Sequence, residues 1–270
     1  MRPERRWPGA IVAVLALAAA ACGQVERPGF ASPDIIFLAT PDSVGAEMLR
    51  LAGVAARDVV YDLGSGDGRL VIAAARDFGA RGVGVELEPD LVQTSRETAL
   101  KAGVAGRTRF LWQDIFAADI REATVVTLYL GESVNLRLRP RLLAELAPGT
   151  RVVSHKFGMG DWSPDRTLRA RGPDGEHVLR LWLVPAQVGG RWQVTLLGRA
   201  STLTLDQRYQ TLAGSLEGGG RLAVTGRLTG DQVRLAAGVL VLEGRVSGDR
   251  MSGRATESGG TGDWTAVRTR

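Results

Sequence analysis

The feature that most constrains the fold is an alternation of short apolar runs with helical stretches over residues 43–184. Strand-like runs such as DVVYDLG, GVGVELE, ATVVTLYL and HVLRLWLV are separated by helical spacing at 43–52, 68–77, 89–102 and 133–146. Such alternation requires crossover connections, which produce a mostly parallel sheet covered by helices on both faces. The sequence therefore predicts a doubly wound, Rossmann-like α/β domain whose ligand lies outside the carboxyl ends of the strands.

The pattern changes after residue 190 to short alternating runs broken by glycine turns, such as RWQVTLLG, RLAVTGRLTG and VLVLEGRVSG. GRLTGDQV at 226–233 returns as GRVSGDRM at 244–251, a spacing expected of successive hairpins. These features predict an antiparallel meander that forms a small barrel or sandwich. A length of 270 residues agrees with two domains. We place the first at 34–187 and the second, all-β domain at 190–270.

The N-terminal segment has the pattern of an export signal. The basic sequence MRPERR precedes an uncharged stretch at 7–21, which is short for a membrane span and typical of a secretory signal. Cys22 follows directly and is the single cysteine of the chain. This arrangement resembles the lipobox of bacterial lipoproteins, whose cysteine is lipidated. We expect a signal peptide at 1–22 and a turn-rich linker at 23–33.

These features predict a location in the bacterial cell envelope, exported to the periplasmic side and held at the membrane through lipidated Cys22. A plain cleaved signal and an uncleaved anchor are the alternatives, and a cytoplasmic location is the less favoured one. An exported enzyme would also need a source of any cofactor that is made in the cytosol.

A glycine-rich loop, VVYDLGSGDGRL at 59–70, follows the first predicted strand. Glycines at every second position allow the backbone to approach a ligand closely. The dinucleotide pattern G-x-G-x-x-G is not met, because Arg69 stands at its third glycine. Asp62, at the end of the strand, would repel a pyrophosphate and attract a ligand that carries an ammonium and a sulfonium. The loop therefore indicates a ligand other than NAD.

Two further acids follow the next two predicted strands. Glu86 ends the second strand, where a carboxylate can accept hydrogen bonds from both hydroxyls of a ribose. Asp114 follows the third strand, where it can accept from an adenine amino group, with Ile115 and Trp112 placed to contact the ring. Ammonium, ribose and adenine in this order indicate S-adenosylmethionine. We expect Asp62 and Glu86 at the mouth of the cleft and outside the core.

The motifs YDLGSGDGR and VGVELEPDLV resemble the first two motifs of class I methyltransferases, a likeness that covers residues 34–184. FLATPDSVGAEML, LYLGESV, GTRVVSHKFGMGDW and RLWLV resemble the lysine methyltransferases that act on the mitochondrial adenine nucleotide translocase and the ATP synthase c subunit, and their bacterial relatives. The resemblance implies an S-adenosylmethionine-dependent enzyme that methylates a protein lysine. It implies cofactor contacts from Thr40, Pro41, Asp62, Gly64, Ser65, Gly66, Glu86, Leu87, Asp114 and Ile115.

Methyl transfer to lysine needs a neutral amine in line with the methyl group, and an apolar or aromatic pocket disfavours the charged form. Tyr129, at the end of the fourth predicted strand, is expected to line that pocket, and Glu132 to orient the amine, although Glu132 also suits the start of a helix. Phe157 and Trp162 suit either pocket walls or core. No metal is required.

Other functions remain open or are disfavoured. An exported lipoprotein that binds S-adenosylmethionine or a related ligand without turnover is one alternative, and a small-molecule methyltransferase is another. The N-P-P-Y motif of adenine methyltransferases is absent, and the net charge of +5 comes from scattered arginines, so no nucleic-acid partner is expected. With only His155, His177 and Cys22 available, a zinc site or a catalytic triad has little to build on. The oligomeric state is left open.

Overall fold

The computed structural model describes residues 39–196 and 198–269. The predicted signal peptide with Cys22, the linker at 23–33 and the first residues of the 34–187 domain lie outside the described residues. Within those two ranges, no helix combines the length and the apolar character that crossing a membrane requires.

The first half of the described chain is a seven-stranded sheet with the order β3-β2-β1-β4-β5-β7-β6. Strands β1 to β5 pair in parallel, whereas β7 runs antiparallel to both β5 and β6. The elements are α1 (Asp42–Leu51), β1 (Val59–Leu63), α2 (Arg69–Phe78), β2 (Arg81–Glu86), α3 (Pro89–Lys101), a 3-10 turn (Ala105–Arg107), β3 (Thr108–Trp112), β4 (Val125–Leu128), α4 (Glu132–Glu145), β5 (Arg151–His155), β6 (Arg166–Gly172) and β7 (Gly175–Leu183). The predicted α/β fold class is confirmed.

Strand β1 is an interior strand of this sheet, between β2 and β4. All five of its residues are buried, as expected for a parallel strand that is covered on both faces. The loop after β1 is held close to the sheet at Gly68, whose φ of 76° places it in the left-handed region. A Cβ at Gly68 would lie 2.6 Å from the Phe110 ring and 2.7 Å from Ser95 Oγ. Glycine at this position therefore lets the loop turn directly into α2.

The second half is a closed eight-stranded antiparallel barrel in which every strand pairs with its neighbours in the chain and β15 returns to β8. Its strands are β8 (Gly190–Leu196), β9 (Arg199–Arg208), β10 (Thr211–Glu217), β11 (Arg221–Thr229), β12 (Gln232–Ala237), β13 (Leu240–Ser247), β14 (Arg250–Glu257) and β15 (Gly260–Arg268). Side chains fill the interior, with Trp192 and Trp264 at most 1% exposed. Of the two predicted forms, the structure is the barrel. The repeated octapeptides span the β11–β12 and β13–β14 turns.

The loop between β5 and β6 makes contacts between the two halves. Asp161 accepts hydrogen bonds from Arg208 Nη2 at 2.9 Å and from the Tyr209 hydroxyl at 2.8 Å. The Trp162 ring is fully buried and lies 5.9 Å from the ring centroids of both Trp182 and Tyr209. Trp162 is therefore part of the packing between the sheet and the barrel, the core alternative among its two predicted roles.

The observed helices lie within one residue of the predicted bounds, but β6 was not predicted. Its sequence, RTLRARG, carries three arginines and buries only Ala170. It lies at the edge of the sheet, beside β7 alone. An edge strand with an exposed, charged face lacks the apolar run by which a strand is recognised in a sequence.

Candidate active site

A cleft opens at the carboxyl edge of the sheet between β1 and β4, where the strand order reverses. It has about 340 Å³ of free space and is lined by Ala39, Thr40, Asp62, Gly64, Ser65, Asp67, Arg69, Leu70 and Tyr129. A doubly wound sheet binds its ligands at this kind of position. The structure thus brings together the predicted residues Thr40, Asp62, Gly64, Ser65 and Tyr129 around one space.

Asp62 is buried inside this cleft, whereas the sequence predicted it at the mouth. Only 5% of the residue is exposed, and the Thr127 hydroxyl donates to its Oδ1 at 2.7 Å. Burial raises the pKa of Asp62 to about 7, the Thr127 hydrogen bond opposes this rise, and the charges of Glu86 and Asp67 add to it. A carboxyl group under these constraints becomes more stable as an anion when a cationic ligand reaches it.

The loop between β1 and α2 lines the same space with Gly64 and Ser65. Gly64 has a φ of 78°, and a Cβ there would lie 2.6 Å from Leu130, so only glycine fits. Ser65 Oγ is buried and has no hydrogen-bond partner among the described residues. A Cβ on Gly84 of β2 would lie 2.6 Å from Ser65 Oγ, so this hydroxyl packs against β2.

Glu86, at the end of β2, holds this loop in place. Its carboxylate accepts from the backbone N–H groups of Gly66 at 2.8 Å, Leu87 at 2.7 Å and Glu88 at 3.0 Å. A carboxylate offers about four acceptor positions, so roughly one remains for a ligand hydroxyl. The predicted bond to both hydroxyls of a ribose is therefore restricted, because the glycine loop and the two residues that follow β2 occupy most of the acceptor capacity.

The predicted adenine contacts lie farther along the same sheet edge and do not line the cleft itself. Glu86 pairs with Trp112 in the β2–β3 register, and Trp112 Nε1 donates to the Leu87 carbonyl at 2.9 Å. Asp114 Oδ1 accepts from the Phe116 N–H at 2.9 Å, and Ile115 is half-buried beside it. Leu87, Asp114 and Ile115 thus flank one surface next to an exposed indole ring.

Two charged residues of the cleft, Asp67 and Arg69, were not predicted as site residues. Arg69 Nη2 forms an ion pair with Asp67 at 2.6 Å, and its Nη1 donates to the Thr40 carbonyl at 3.3 Å. This places the segment before α1 against the glycine loop, and Pro41 caps α1 next to it. A glycine, which a dinucleotide-binding loop has at this position, could not make these contacts. The arginine at position 69 was therefore the feature of the sequence that could have identified this residue as part of the site.

Tyr129 lines the cleft at the end of β4 and packs against two further rings. The Tyr129 ring stacks on His155 at 4.0 Å and lies 5.9 Å from Phe157 between centroids. Burial, with a smaller effect of the Asp174 charge, raises the pKa of the Tyr129 hydroxyl. Glu132 is exposed as the first residue of α4 and does not line the cleft.

The two histidines, to which the sequence assigned no role, lie beside Tyr129. His155 Nδ1 is 3.1 Å from the Thr40 hydroxyl, and His155 Nε2 is 2.9 Å from His177 Nδ1. Burial, together with the nearby His177 and Lys156, lowers the pKa of His155 to about 4, so its ring is neutral near pH 7. No local pattern links residues 155 and 177, because only the β5–β7 pairing brings them together. Within the described residues, no cluster of potential metal ligands is present.

A reversing parallel sheet, a buried acid at the end of β1, a glycine loop and a second acid at the end of β2 define the class I S-adenosylmethionine-dependent methyltransferases. The buried Asp62 fits the cationic end of that cofactor. A family model for the ANTKMT methyltransferase domain matches residues 62–166. The chain is also 40% identical over 153 residues to a protein-lysine N-methyltransferase of Saccharolobus islandicus, a match that covers 56% of this chain and 95% of that protein.

The chain belongs to this methyltransferase family and is an S-adenosylmethionine-dependent enzyme, as the resemblance predicted. A lysine N-methyltransferase of Mus musculus that is named for the ATP synthase c subunit is 36% identical over 126 residues, and the chain spans about half (48%) of its length. A crystal structure described as an RNA methyltransferase from Salinibacter ruber, in complex with S-adenosyl-L-homocysteine, is 54% identical with a TM-score of 0.53. That match covers 56% of this chain and 96% of that one. The family model ends before the barrel.

Proposed function

We propose that the enzyme transfers a methyl group to the side-chain amine of a protein lysine. The observation that carries this proposal is the wall formed by Tyr129, His155 and Phe157 beside the cleft that contains Asp62. None of these three rings is ionised near pH 7, because the pKa of Tyr129 is raised and that of His155 is lowered. The names of two relatives as lysine methyltransferases support the same acceptor.

S-adenosylmethionine, when bound, supplies a methyl group on a sulfonium that an aligned, neutral nucleophile attacks. In our proposal Asp62 and Ser65 bind the methionine end, and Glu86 holds the glycine loop and accepts from a ribose hydroxyl. Leu87, Asp114 and Ile115 contact the adenine. The neutral rings exclude water at the acceptor side and favour the free amine over the ammonium, because desolvation disfavours charge. Thr40 and Pro41 cover the cofactor. Glu132, which lies outside the cleft, orients the incoming chain.

The test is transfer of label from methyl-tritiated S-adenosylmethionine to poly-L-lysine, to a cell protein extract and to total RNA. We expect label in poly-L-lysine and in protease-sensitive extract, and methyl-lysine after acid hydrolysis. Asp62→Asn is the matched control, because it keeps the side-chain shape and removes the charge, and its weaker cofactor binding should reduce the label at a subsaturating concentration of S-adenosylmethionine. Label confined to RNA would overturn the proposal in favour of the activity named for the Salinibacter ruber protein. Cofactor binding without any transfer would favour the binding lipoprotein.

We further propose that the mature enzyme is lipidated at Cys22 and acts at the bacterial cell envelope. The support is the position of the only cysteine directly after an uncharged stretch. A fatty-acid analogue should label the wild type and leave Cys22→Ser unlabelled, and the mature chain should begin at residue 22. Equal labelling of both proteins, or a mature chain that begins at Met1, would contradict the proposal.

A further inference from the structure

A chain of hydrogen bonds leads from the cleft to the protein surface. It begins at the Thr40 hydroxyl, which lies 3.1 Å from His155 Nδ1. His155 Nε2 lies 2.9 Å from His177 Nδ1, and His177 Nε2 lies 2.8 Å from Asp174 Oδ1. Thr40 borders the cleft, whereas the Asp174 side chain is 69% exposed. The chain thus connects a hydroxyl in the site to a carboxylate in solvent.

The carboxylate sets the direction of every donor in this chain. The hydrogen bond from His177 holds the pKa of Asp174 below its usual range, so Asp174 is ionised and only accepts. A hydrogen therefore lies on Nε2 of His177, and whenever that ring carries a single hydrogen its Nδ1 accepts from His155 Nε2. His155 Nδ1 in turn accepts from Thr40. The hydroxyl hydrogen points away from the cleft, and the lone pairs of Thr40 Oγ1 remain to accept a hydrogen bond.

The surrounding structure fixes both rings in this arrangement. A Cβ at Gly172 would lie 2.5 Å from His177 Nε2. The His177 ring therefore has space beside β6 because residue 172 is a glycine. His155 is 1% exposed and stacks on Tyr129. Lys156 follows it with a φ of 68°, a conformation that is costly for a non-glycine residue. The strained backbone at Lys156, directly after the buried His155, indicates that the surrounding structure holds the His155 ring in one position.

We propose that Asp174, His177 and His155 position the Thr40 hydroxyl so that its oxygen accepts a hydrogen bond from the attacking amine, an inference that rests on the proposed lysine methylation. A neutral amine that donates one N–H to Thr40 has its lone pair free to point at the methyl carbon. In-line displacement depends on this alignment. The two histidines and Asp174 are positioning residues, and Thr40 is the group that touches the substrate.

The first test reads the tautomers directly and does not depend on turnover. In the full chain labelled with ¹⁵N, nitrogen chemical shifts and long-range couplings at pH 8.5 should show the hydrogen on Nε2 of both histidines. A hydrogen on Nδ1 of either ring would mean that the hydrogen bonds point in the opposite direction, and would overturn the inference.

The second test compares two substitutions at one position. His177→Phe fills the space and breaks the series of hydrogen bonds between Thr40 and Asp174. We therefore expect the kcat for methylation of poly-L-lysine to fall by about tenfold to a hundredfold. His177→Gln supplies an oxygen that accepts and an N–H that donates, and should stay within about threefold of the wild type. The Kd for S-adenosylmethionine, measured by calorimetry, should remain within about twofold in both variants.

Each contrary outcome has a separate meaning. A wild-type kcat in His177→Phe would overturn the inference alone. An equally slow His177→Gln would also overturn it, because an oriented acceptor would then be insufficient. A weaker Kd for S-adenosylmethionine in His177→Phe would assign the Thr40 oxygen to the cofactor instead of the amine. If the wild type methylates neither poly-L-lysine nor protein extract, the proposed function fails and the inference fails with it.

Discussion

The two halves of the described chain treat polar side chains in opposite ways. Of the twelve buried polar or charged residues among those described, ten lie in the half with the parallel sheet, and only Gln210 and Ser215 lie in the barrel. The barrel interior is a continuous apolar cluster with Trp192 and Trp264 at its centre. Buried polar groups cost stability unless they are hydrogen-bonded. The comparison therefore indicates that the buried polar groups on which a site depends lie in the sheet half, whereas the interior of the barrel is apolar packing.

The largest effect we expect comes from breaking the buried ion pair of the sheet. Asp58 has a 3% exposed side chain that accepts from Arg151 Nη2 at 2.5 Å and from Thr124 Oγ1 at 2.9 Å. Asp58→Ala removes the carboxylate from Arg151, which keeps only backbone carbonyls as partners, and should lower the free energy of unfolding by about 3 to 5 kcal/mol. Denaturant titration followed by circular dichroism measures this loss.

The matched control lies in the barrel. Arg234 and Glu243 also form an ion pair, but their side chains are 65% and 58% exposed. Glu243→Ala should change the free energy of unfolding by less than about 1 kcal/mol, because exposed pairs contribute little. Similar losses in Asp58→Ala and Glu243→Ala would contradict the contrast between the two halves.

The next effect concerns Glu86, where the sheet edge meets the cofactor. Glu86→Ala should weaken the binding of S-adenosylmethionine by at least about tenfold, since it removes a charge-assisted acceptor and frees the loop. The three backbone N–H groups that it holds also lose their partner, so the free energy of unfolding should fall by about 1 to 3 kcal/mol. Glu97→Ala, on the exposed face of α3, is the control. Calorimetry that finds unchanged affinity in Glu86→Ala would remove this residue from the site.

Asp62 gives a smaller, pH-dependent effect. Its pKa of about 7 in the folded protein exceeds the ordinary aspartate value of 3.8, so the fold retains a proton that the unfolded chain has released. This group therefore lowers stability as pH rises from about 4 to about 7. A cationic ligand favours the ionised form, so binding S-adenosylmethionine below pH 7 should release a proton and tighten as pH rises.

Calorimetry at pH 6.5 in two buffers of different ionisation enthalpy measures this proton release. The observed enthalpy should differ between the buffers for the wild type, and the difference should shrink in Asp62→Asn, which should also bind more weakly. An equal difference in both proteins would assign the released proton to another group.

The sequence predicts these two halves unequally. The alternation of apolar runs and the glycine turns were enough for the barrel and for the sheet apart from β6, because both signals are local. The Thr40–His155–His177–Asp174 chain was not predictable, since it depends on strand register and on the space that Gly172 leaves. The turn at Tyr209 was also missed, because a non-glycine residue with a φ of 54° has no sequence signature. Asp62 was found as a site residue, but its burial requires the packed sheet to be known.

The smallest effect we expect is on cofactor binding when the barrel is removed. Every residue that lines the cleft lies at or before Tyr129, whereas the described polar contacts with the barrel come from the loop around Asp161 and Asp165. A chain of residues 34–187 loses the Tyr209 ring that packs on Trp162, so its melting temperature should fall. Its Kd for S-adenosylmethionine should nevertheless stay within about twofold of that of residues 34–270.

Calorimetry on both proteins, with circular dichroism to show that each is folded, makes the comparison. A tenfold weaker Kd, about 1.4 kcal/mol, would show that the barrel shapes the site and that the division between chemistry and packing is wrong. An unchanged Kd together with lost methylation of poly-L-lysine would instead place the barrel on the acceptor side of the reaction.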